Sequence, residues 1–338
     1  MKEFHIQWHI TNLCNLRCLH CYQEHFDSYQ ELDLKDLIKI ANNLLKTMEI
    51  WDAHLFLSLT GGEPLIKPQL WELLDYLRNQ KRIAELNLIT NGTLIDLYIE
   101  DILKSPIKKV FVSLDGICSE TNDYIRGKDV FKKVLDNLWL LRKKEIKTFI
   151  MYTLMNLNYN EAKGLTDFCQ KLEVNGYILE RFFPLGQGRN ISSELVLKED
   201  LLDLYKEIFE QTGSEFDLKN LVSTRALRVV LEKKLELYTA ECIVARYGLA
   251  ILADGSVSPC RRFTLKIGNL LTEDLNEIWN GCSVLNEIRQ RERLKGSCGR
   301  CGIKDCFGCR AMVYTLRGDY LEEDLDCFLQ KPKFLERI

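Results

Sequence analysis

Six short apolar runs alternate with longer amphipathic ones through the first half of the chain, and this alternation restricts the possible folds more than any other feature. Phe4–Ile10, His54–Leu59, Glu85–Thr90, Lys109–Leu114, Thr148–Leu154 and Tyr177–Phe183 are rich in β-branched, leucine or aromatic residues and read as strands. Between them, Leu34, Leu37, Ile38, Ala41, Leu44, Leu45 and Met48 recur at three- and four-residue steps, the spacing of one helix face. Leu70, Leu73, Leu74 and Leu77 do the same, as do Phe131, Val134, Leu135 and Leu138. Each connection holds a helix long enough for a crossover, so the pattern predicts an α/β fold with a parallel sheet. A doubly wound open sheet and a parallel barrel both satisfy it. Parallel α/β barrels carry their chemistry at the carboxyl ends of the strands.

After about Ser192 the pattern changes to two predicted helices, Lys198–Thr212 and Asp217–Tyr238, and a cysteine-dense tail begins at Cys242. The expected division is a barrel over 1–190, a helical connector over 191–240 and a cysteine-rich unit over 241–338, with the first boundary near Gly188–Ser193.

The chain has 338 residues, 46% hydrophobic and 28% charged, which suits a globular protein able to bury a core. Its formal net charge of −3 carries no signature of nucleic-acid or anionic-membrane binding. Phe4–Ile10 is not followed by a secretory cleavage pattern, and no apolar run approaches the ~20 residues that span a bilayer. Thirteen cysteines, an odd number without a secretion signal, point to a reducing compartment and metal ligation rather than disulfides. A cytoplasmic protein of an oxygen-poor setting is expected.

Cys14, Cys18 and Cys21 form a C-x3-C-x2-C triplet within Thr11–Tyr22. Three thiolates this close can wrap one face of a 4Fe–4S cluster and leave its fourth iron without a protein ligand, whereas electron-transfer clusters use four cysteines. The missing ligand reads as an open site for a substrate or cofactor. Zinc held with a distant histidine is the competing reading. Gly61-Gly62-Glu63-Pro64 follows the second strand, where glycines let backbone approach a ligand closely. Asn91 follows the third strand, and Ser113 and Asp115 the fourth, with side chains able to hydrogen-bond a ribose diol.

These residues resemble the radical S-adenosylmethionine superfamily, whose founding motif is the cysteine triplet followed by an aromatic, here Tyr22. The resemblance implies a partial (βα)6 barrel. It also implies that the open iron of the 4Fe–4S cluster chelates S-adenosylmethionine, which is cleaved to methionine and a 5′-deoxyadenosyl radical. Gly61, Gly62 and Glu63 would meet the methionine amino group, and Arg126 its carboxylate through a bidentate pairing. His20 and Tyr22 would pack against cluster and adenine. Reduction would come from a donor such as flavodoxin or ferredoxin.

The tail resembles the SPASM extension of the same superfamily, which holds two auxiliary 4Fe–4S clusters. Carried over by order, Cys298, Cys301, Cys306 and Cys327 ligate one cluster, and Cys242, Cys260 and Cys309 ligate the other, whose fourth ligand is unassigned. The dense run is shorter by one residue in each of two gaps than the usual C-x2-C-x5-C-x3-C, and a pair of zinc ribbons is the alternative. Cys169 and Cys282 read as small buried hydrophobes. Cys118, just beyond Asp115, is the one candidate catalytic residue, a hydrogen-atom donor of the kind a radical epimerase needs.

Oxidative modification of a ribosomally made peptide, by cross-linking or related C–H chemistry, is the leading expectation, because auxiliary clusters suit a reaction that must dispose of an electron. Peptide epimerisation and radical decarboxylation of a tetrapyrrole in haem synthesis are the alternatives. Arg261-Arg262, directly after Cys260, would favour a carboxylate-bearing substrate if they are not a solvated loop. Cys14 comes too early for a preceding peptide-recognition winged helix, so a peptide substrate would need a separate recognition protein or bind unaided.

Overall fold

In the computed structural model, which describes residues 2–29, 31–303 and 306–330, the alternating pattern becomes six parallel strands in chain order. They are β1 (Lys2–His9), β2 (Ala53–Thr60), β3 (Ile83–Thr90), β4 (Lys109–Ser113), β5 (Thr148–Leu154) and β6 (Gly176–Arg181). Alternation sets the inward face: Ala53, Leu55, Leu57 and Leu59 of β2 are buried, and His54, Phe56 and Ser58 between them are less so.

The crossovers are α1 (Leu34–Trp51), α2 (Leu70–Leu77), α3 (Ile95–Lys104), α4 (Ser119–Arg126) with α5 (Val130–Lys143), and α6 (Tyr159–Ala162) with α7 (Leu165–Lys171). α1 shows why they form where they do. The Asp33 side chain accepts the Asp36 amide and starts the helix, and Asp52 in the left-handed conformation ends it. One stripe, Leu37, Ile40, Ala41, Leu44 and Met48, is buried against the sheet. Each large apolar side chain there contributes roughly 1.5–3 kcal/mol by leaving water.

The connector departs from expectation. α8 (Lys198–Gln211) forms as predicted, but the helix expected over Asp217–Tyr238 is only α9 (Leu218–Val222), followed by a hairpin of β7 (Thr224–Val230) and β8 (Glu236–Glu241). Tertiary context overrides a local pattern that fits either state. β6 offers an open edge, β7 pairs with it antiparallel, and Thr224, Ala226, Leu227 and Val229 bury their side chains there. The 191–240 stretch is thus helical in its first half and sheet in its second.

The tail extends the same sheet from the opposite edge. β9 (Gly248–Ile251) runs parallel to β1, and β10 (Ser256–Ser258) and β11 (Gly268–Asn269) continue antiparallel, giving one eleven-stranded sheet. Among the described residues no helix is long and apolar enough to cross a membrane.

Candidate active site

The loop after β1 carries Cys14, Cys18 and Cys21 and is clamped by backbone from two sides. On one side the Gly62 amide donates to Thr11 O (2.8 Å) and the Glu63 amide to Leu13 O (2.7 Å). A Cβ on Gly61 would lie 2.4 Å from Thr11 O, and one on Gly62 would lie 2.2 Å from Leu13 O. These glycines are therefore required by the cysteine loop itself, in addition to any ligand they approach. On the other side the Gly188 amide donates to Cys21 O (3.1 Å), and a Cβ on Gly186 would come within 2.4 Å of the Tyr22 carbonyl carbon. Gly186-Gln187-Gly188 ends the Arg181–Gly188 stretch that shares in the family resemblance, but the sequence gives these glycines no role. Two glycines one residue apart, just past a strand, were the available signal.

The same loop is anchored by charge. Glu31 accepts Thr11 Oγ1 (2.8 Å) and the Asn12 amide (2.7 Å), and Lys67, itself buried, holds the other Glu31 oxygen at 2.6 Å.

Cys14, Cys18, His20, Cys21, Tyr22, Gly61, Gly62, Asn91, Ser113 and Arg126 all line one pocket at the carboxyl ends of the strands. Asn91 donates to Asn15 Oδ1 (2.8 Å) and lies 3.9 Å from Cys14 Sγ. Arg126 reaches within 3.9 Å of Cys18 Sγ, and its buried Nε has no partner among the described residues.

Three expected site residues do not stand on the wall. Glu63 is fully buried, and its carboxylate accepts Thr90 Oγ1 (2.8 Å), the Leu65 amide (3.1 Å) and the Asn91 amide (2.7 Å). It ties the Gly61–Pro64 turn to the end of β3 rather than projecting into the pocket. Burial pushes its carboxyl up to about 7, against the pull of those hydrogen bonds.

Asp115, expected to meet a ribose, is also sealed from solvent. One oxygen holds Arg126 Nη2 (2.6 Å) and His20 Nε2 (3.0 Å), and the other accepts the Thr153 amide (2.7 Å). Its work is to orient Arg126 and His20. Burial would raise its carboxyl, but the Arg126 guanidinium and His20 outweigh that and hold it at about 2.

Cys118 caps α4 away from the pocket, with its sulfur 3.4 Å from Glu161 Oε1 and 3.6 Å from Thr121 Oγ1. A hydrogen-atom donor must touch the substrate radical, and the fold turns this thiol toward α6 instead.

Opposite the cysteine loop, Arg261 and Arg262 line the pocket and converge on one oxygen of Glu180 at the end of β6. Their side chains are only 8% and 14% exposed, so the reading of this pair as a solvated loop is overturned. Arg261 lies over the Tyr22 ring and Arg262 over Phe183, at 5.8 and 4.7 Å. Two cations share one carboxylate, which leaves a surplus positive charge facing the pocket, and Arg261 Nε is buried without a partner among the described residues. Burial would raise the Glu180 carboxyl, yet the two guanidinium groups keep it below its ordinary value. Glu180 was missed in the sequence because its partners lie some eighty positions downstream.

In the tail, Cys298, Cys301, Cys306 and Cys327 line one cavity with Gly308 and Asp324. Cys242, Cys260 and Cys309 group separately. Burial pushes the Cys242 thiol up to about 12, with Cys309 and Cys260 near enough to add to the shift. The cysteine loops are stapled by arginines. Arg310 is buried, donates to Tyr320 O (2.8 Å) and Glu322 O (2.6 Å), and lies 3.7 Å from Cys298 Sγ. Arg291 donates to Cys301 O (3.2 Å) and Cys306 O (2.9 Å). Cys169 is buried in α7, as read from the sequence.

Comparison with known proteins agrees with this geometry. Residues 8–169 match the family model described as the radical SAM superfamily, and residues 242–302 match that of an iron-sulfur cluster-binding domain, SPASM. The AdoMet-dependent heme synthase of Methanosarcina barkeri is 29% identical over 97% of this chain and 97% of its own. The Fe-coproporphyrin III synthase of the same organism is 30% identical over 97% of this chain and 88% of its own. Among solved structures, Streptococcus suis SuiB bound to precursor peptide SuiA superposes with a TM-score of 0.75 at 18% identity, covering 97% of this chain and 76% of that one. The cofactors that go with these domains are S-adenosylmethionine, a 4Fe–4S cluster and auxiliary iron–sulfur clusters. The chain belongs to the radical S-adenosylmethionine superfamily and, by its cysteine-rich tail, to the SPASM-containing enzymes within it.

Proposed function

We propose that this enzyme removes a carboxylate from a side chain of a tetrapyrrole. The observation that carries the reading is the buried Arg261–Arg262–Glu180 cluster, which shares a pocket with Cys14, Cys18 and Cys21 and whose arginines follow Cys260 directly. A guanidinium pair with one carboxylate between them has capacity for a second, and bidentate arginine contacts both bind and orient it. The names of the two Methanosarcina relatives support the same substrate class. The reading therefore departs from peptide oxidation, the leading expectation from sequence. A peptide remains the second reading, since a precursor peptide is bound in the structure of SuiB, which shares the fold.

The residues present fit the cofactors. Three thiols, the unpartnered Arg126 Nε, and the Asn91 and Ser113 side chains share one wall, so Cys14, Cys18 and Cys21 would hold the cluster and the others the S-adenosylmethionine. When bound, these groups supply a hydrogen-abstracting radical, and the auxiliary clusters supply a place for the electron released. Asp115 fixes the direction of Arg126, and Glu63 fixes the turn behind Asn91. Arg261 and Arg262 seat the substrate carboxylate and keep it ionised, so that it leaves as carbon dioxide without a proton transfer. A propionate that loses one hydrogen atom, one electron and carbon dioxide becomes a vinyl group, and the balance closes.

The test is anaerobic turnover of the reconstituted enzyme with dithionite, S-adenosylmethionine and a propionate-bearing iron porphyrin. One carbon dioxide and one vinyl group per 5′-deoxyadenosine are expected. Arg261→Ala with Arg262→Ala should abolish product while uncoupled 5′-deoxyadenosine formation continues. A peptide that loses two hydrogens, with no turnover of the porphyrin, would overturn the reading and restore peptide oxidation.

A further inference from the structure

Arg225, near the start of β7, stands between the two groups of tail cysteines. Its Nη1 donates to Val222 O (3.1 Å) and Thr224 O (2.9 Å), which fixes the side chain. Its Nη2 lies 3.8 Å from Cys306 Sγ and 3.6 Å from Asp324 Oδ2. Cys306 belongs to one group, and the guanidinium reaches the other through its ion pair with Asp324. Asp324 is attached to both. Its Oδ2 accepts the Cys309 amide (2.7 Å), and its own amide donates toward Cys298 Sγ (3.3 Å).

We propose that Arg225 and Asp324 form a charged bridge shared by the two auxiliary sites, which sets the reduction potentials of both clusters together. The inference rests on the assignment of two auxiliary clusters to these cysteines. Reduction adds a negative charge to a thiolate-held cluster, so a nearby guanidinium raises its potential and a nearby carboxylate lowers it. Charge, burial and hydrogen bonds to the sulfurs are the protein's means of tuning such groups. A residue that touches a single group shifts one cluster; Arg310, beside Cys298, is of that kind. A residue that touches both shifts both in the same direction. The pair would let the tail be tuned as a unit to its electron acceptor.

The experiment is a potentiometric titration of the full-length, reconstituted enzyme followed by electron paramagnetic resonance, after iron counting. Arg225→Gln should lower both auxiliary midpoint potentials, Asp324→Asn should raise both, and Arg225→Lys should stay near the wild type. The cluster at Cys14, Cys18 and Cys21 should not move in any of them, and Arg310→Gln should lower only one auxiliary potential. Movement of one auxiliary cluster alone in the Arg225→Gln and Asp324→Asn proteins would overturn the proposal. So would loss of both clusters from all three Arg225 and Asp324 variants, which would make the pair a fold element only. A wild-type protein with fewer than two auxiliary clusters would instead refute the assignment beneath it.

Discussion

The two cysteine regions are held by different means. Around Cys14, Cys18 and Cys21 the clamps are backbone contacts, made by Gly61, Gly62 and Gly186 at distances that exclude any side chain and by the Gly188 amide through its hydrogen bond to Cys21 O. In the tail the staples are long cationic side chains, Arg225, Arg291 and Arg310, which reach carbonyls and sulfurs from neighbouring loops. A backbone clamp fixes a loop rigidly and leaves its outward face free, which suits a site that must bind a cofactor and a substrate. An arginine staple adds positive charge beside buried thiolates, which suits a site that stores electrons. The comparison teaches that glycine substitutions should destroy the first site by displacement, and arginine substitutions should weaken the second by charge and packing.

The sharpest way to break this contrast is Gly62→Val. The new side chain would meet Leu13 O, so the loop bearing Cys14 must shift. Overpacking costs about 1–3 kcal/mol in general, but the functional loss should be near complete: no S-adenosylmethionine binding and loss of iron at this site alone. Iron analysis with tail clusters intact is the expected result. Loss of every cluster would show that the two regions fold as one unit.

A matched pair of arginine substitutions comes next. Arg126→Ala leaves the sealed Asp115 carboxylate with His20 as its only ionisable partner, and breaking a buried pair from one side costs about 3–5 kcal/mol. It should also weaken S-adenosylmethionine binding severely, as read by equilibrium dialysis. Arg310→Leu leaves the Tyr320 and Glu322 carbonyls without their charged donor, a loss of about 2–4 kcal/mol. Cofactor binding at the barrel should survive there. If both variants lose cofactor binding equally, the two regions are not independent.

Glu63 offers a smaller, pH-dependent effect. Its carboxyl is raised to about 7 in the fold from an ordinary 4.5, so the folded state binds the extra proton between those values. The stability linked to that proton is fully present below about pH 4.5 and is lost as pH rises through about 7. Between pH 6 and pH 9 the loss should be on the order of 1–2 kcal/mol in urea unfolding without S-adenosylmethionine. Glu63→Gln should flatten that slope, and an unchanged slope would remove Glu63 from this role.

How much could be read beforehand follows from the range of each interaction. The six barrel strands, the cysteine triplet and Gly61–Pro64 are local patterns, and each falls where the residues placed it. The β7–β8 hairpin was read as helix because its partner is the edge of β6, a feature no local window contains. Asp115 was assigned to a ribose because its position at a strand end suits one. That Arg126, eleven residues on, takes it up instead depends on how α4 folds back. Glu180 and Arg225 are ordinary charged residues in sequence and become informative only once their partners, distant along the chain, are brought to them.

The smallest expected effect concerns Cys118, whose position beside Asp115 in sequence made it a candidate hydrogen-atom donor. Its thiol makes only weak contacts, 3.4 Å from Glu161 and 3.6 Å from Thr121, while Glu161 is held independently by the Ile117 amide at 2.6 Å. Removing the sulfur therefore leaves no charged group without a partner. Cys118→Ala should cost under about 1 kcal/mol of stability and leave turnover unchanged. It should also leave deuterium incorporation from solvent unchanged with any substrate, because that sulfur faces Glu161 and Thr121 and does not line the pocket. A variant that still forms 5′-deoxyadenosine but no longer quenches a substrate radical would show that α4 moves during turnover, and would return this thiol to the chemistry. Cys118 thus tests the contrast between regions from its weakest point. If the barrel pocket is as rigid as its glycine clamps imply, a cysteine one turn outside it has no part in the reaction.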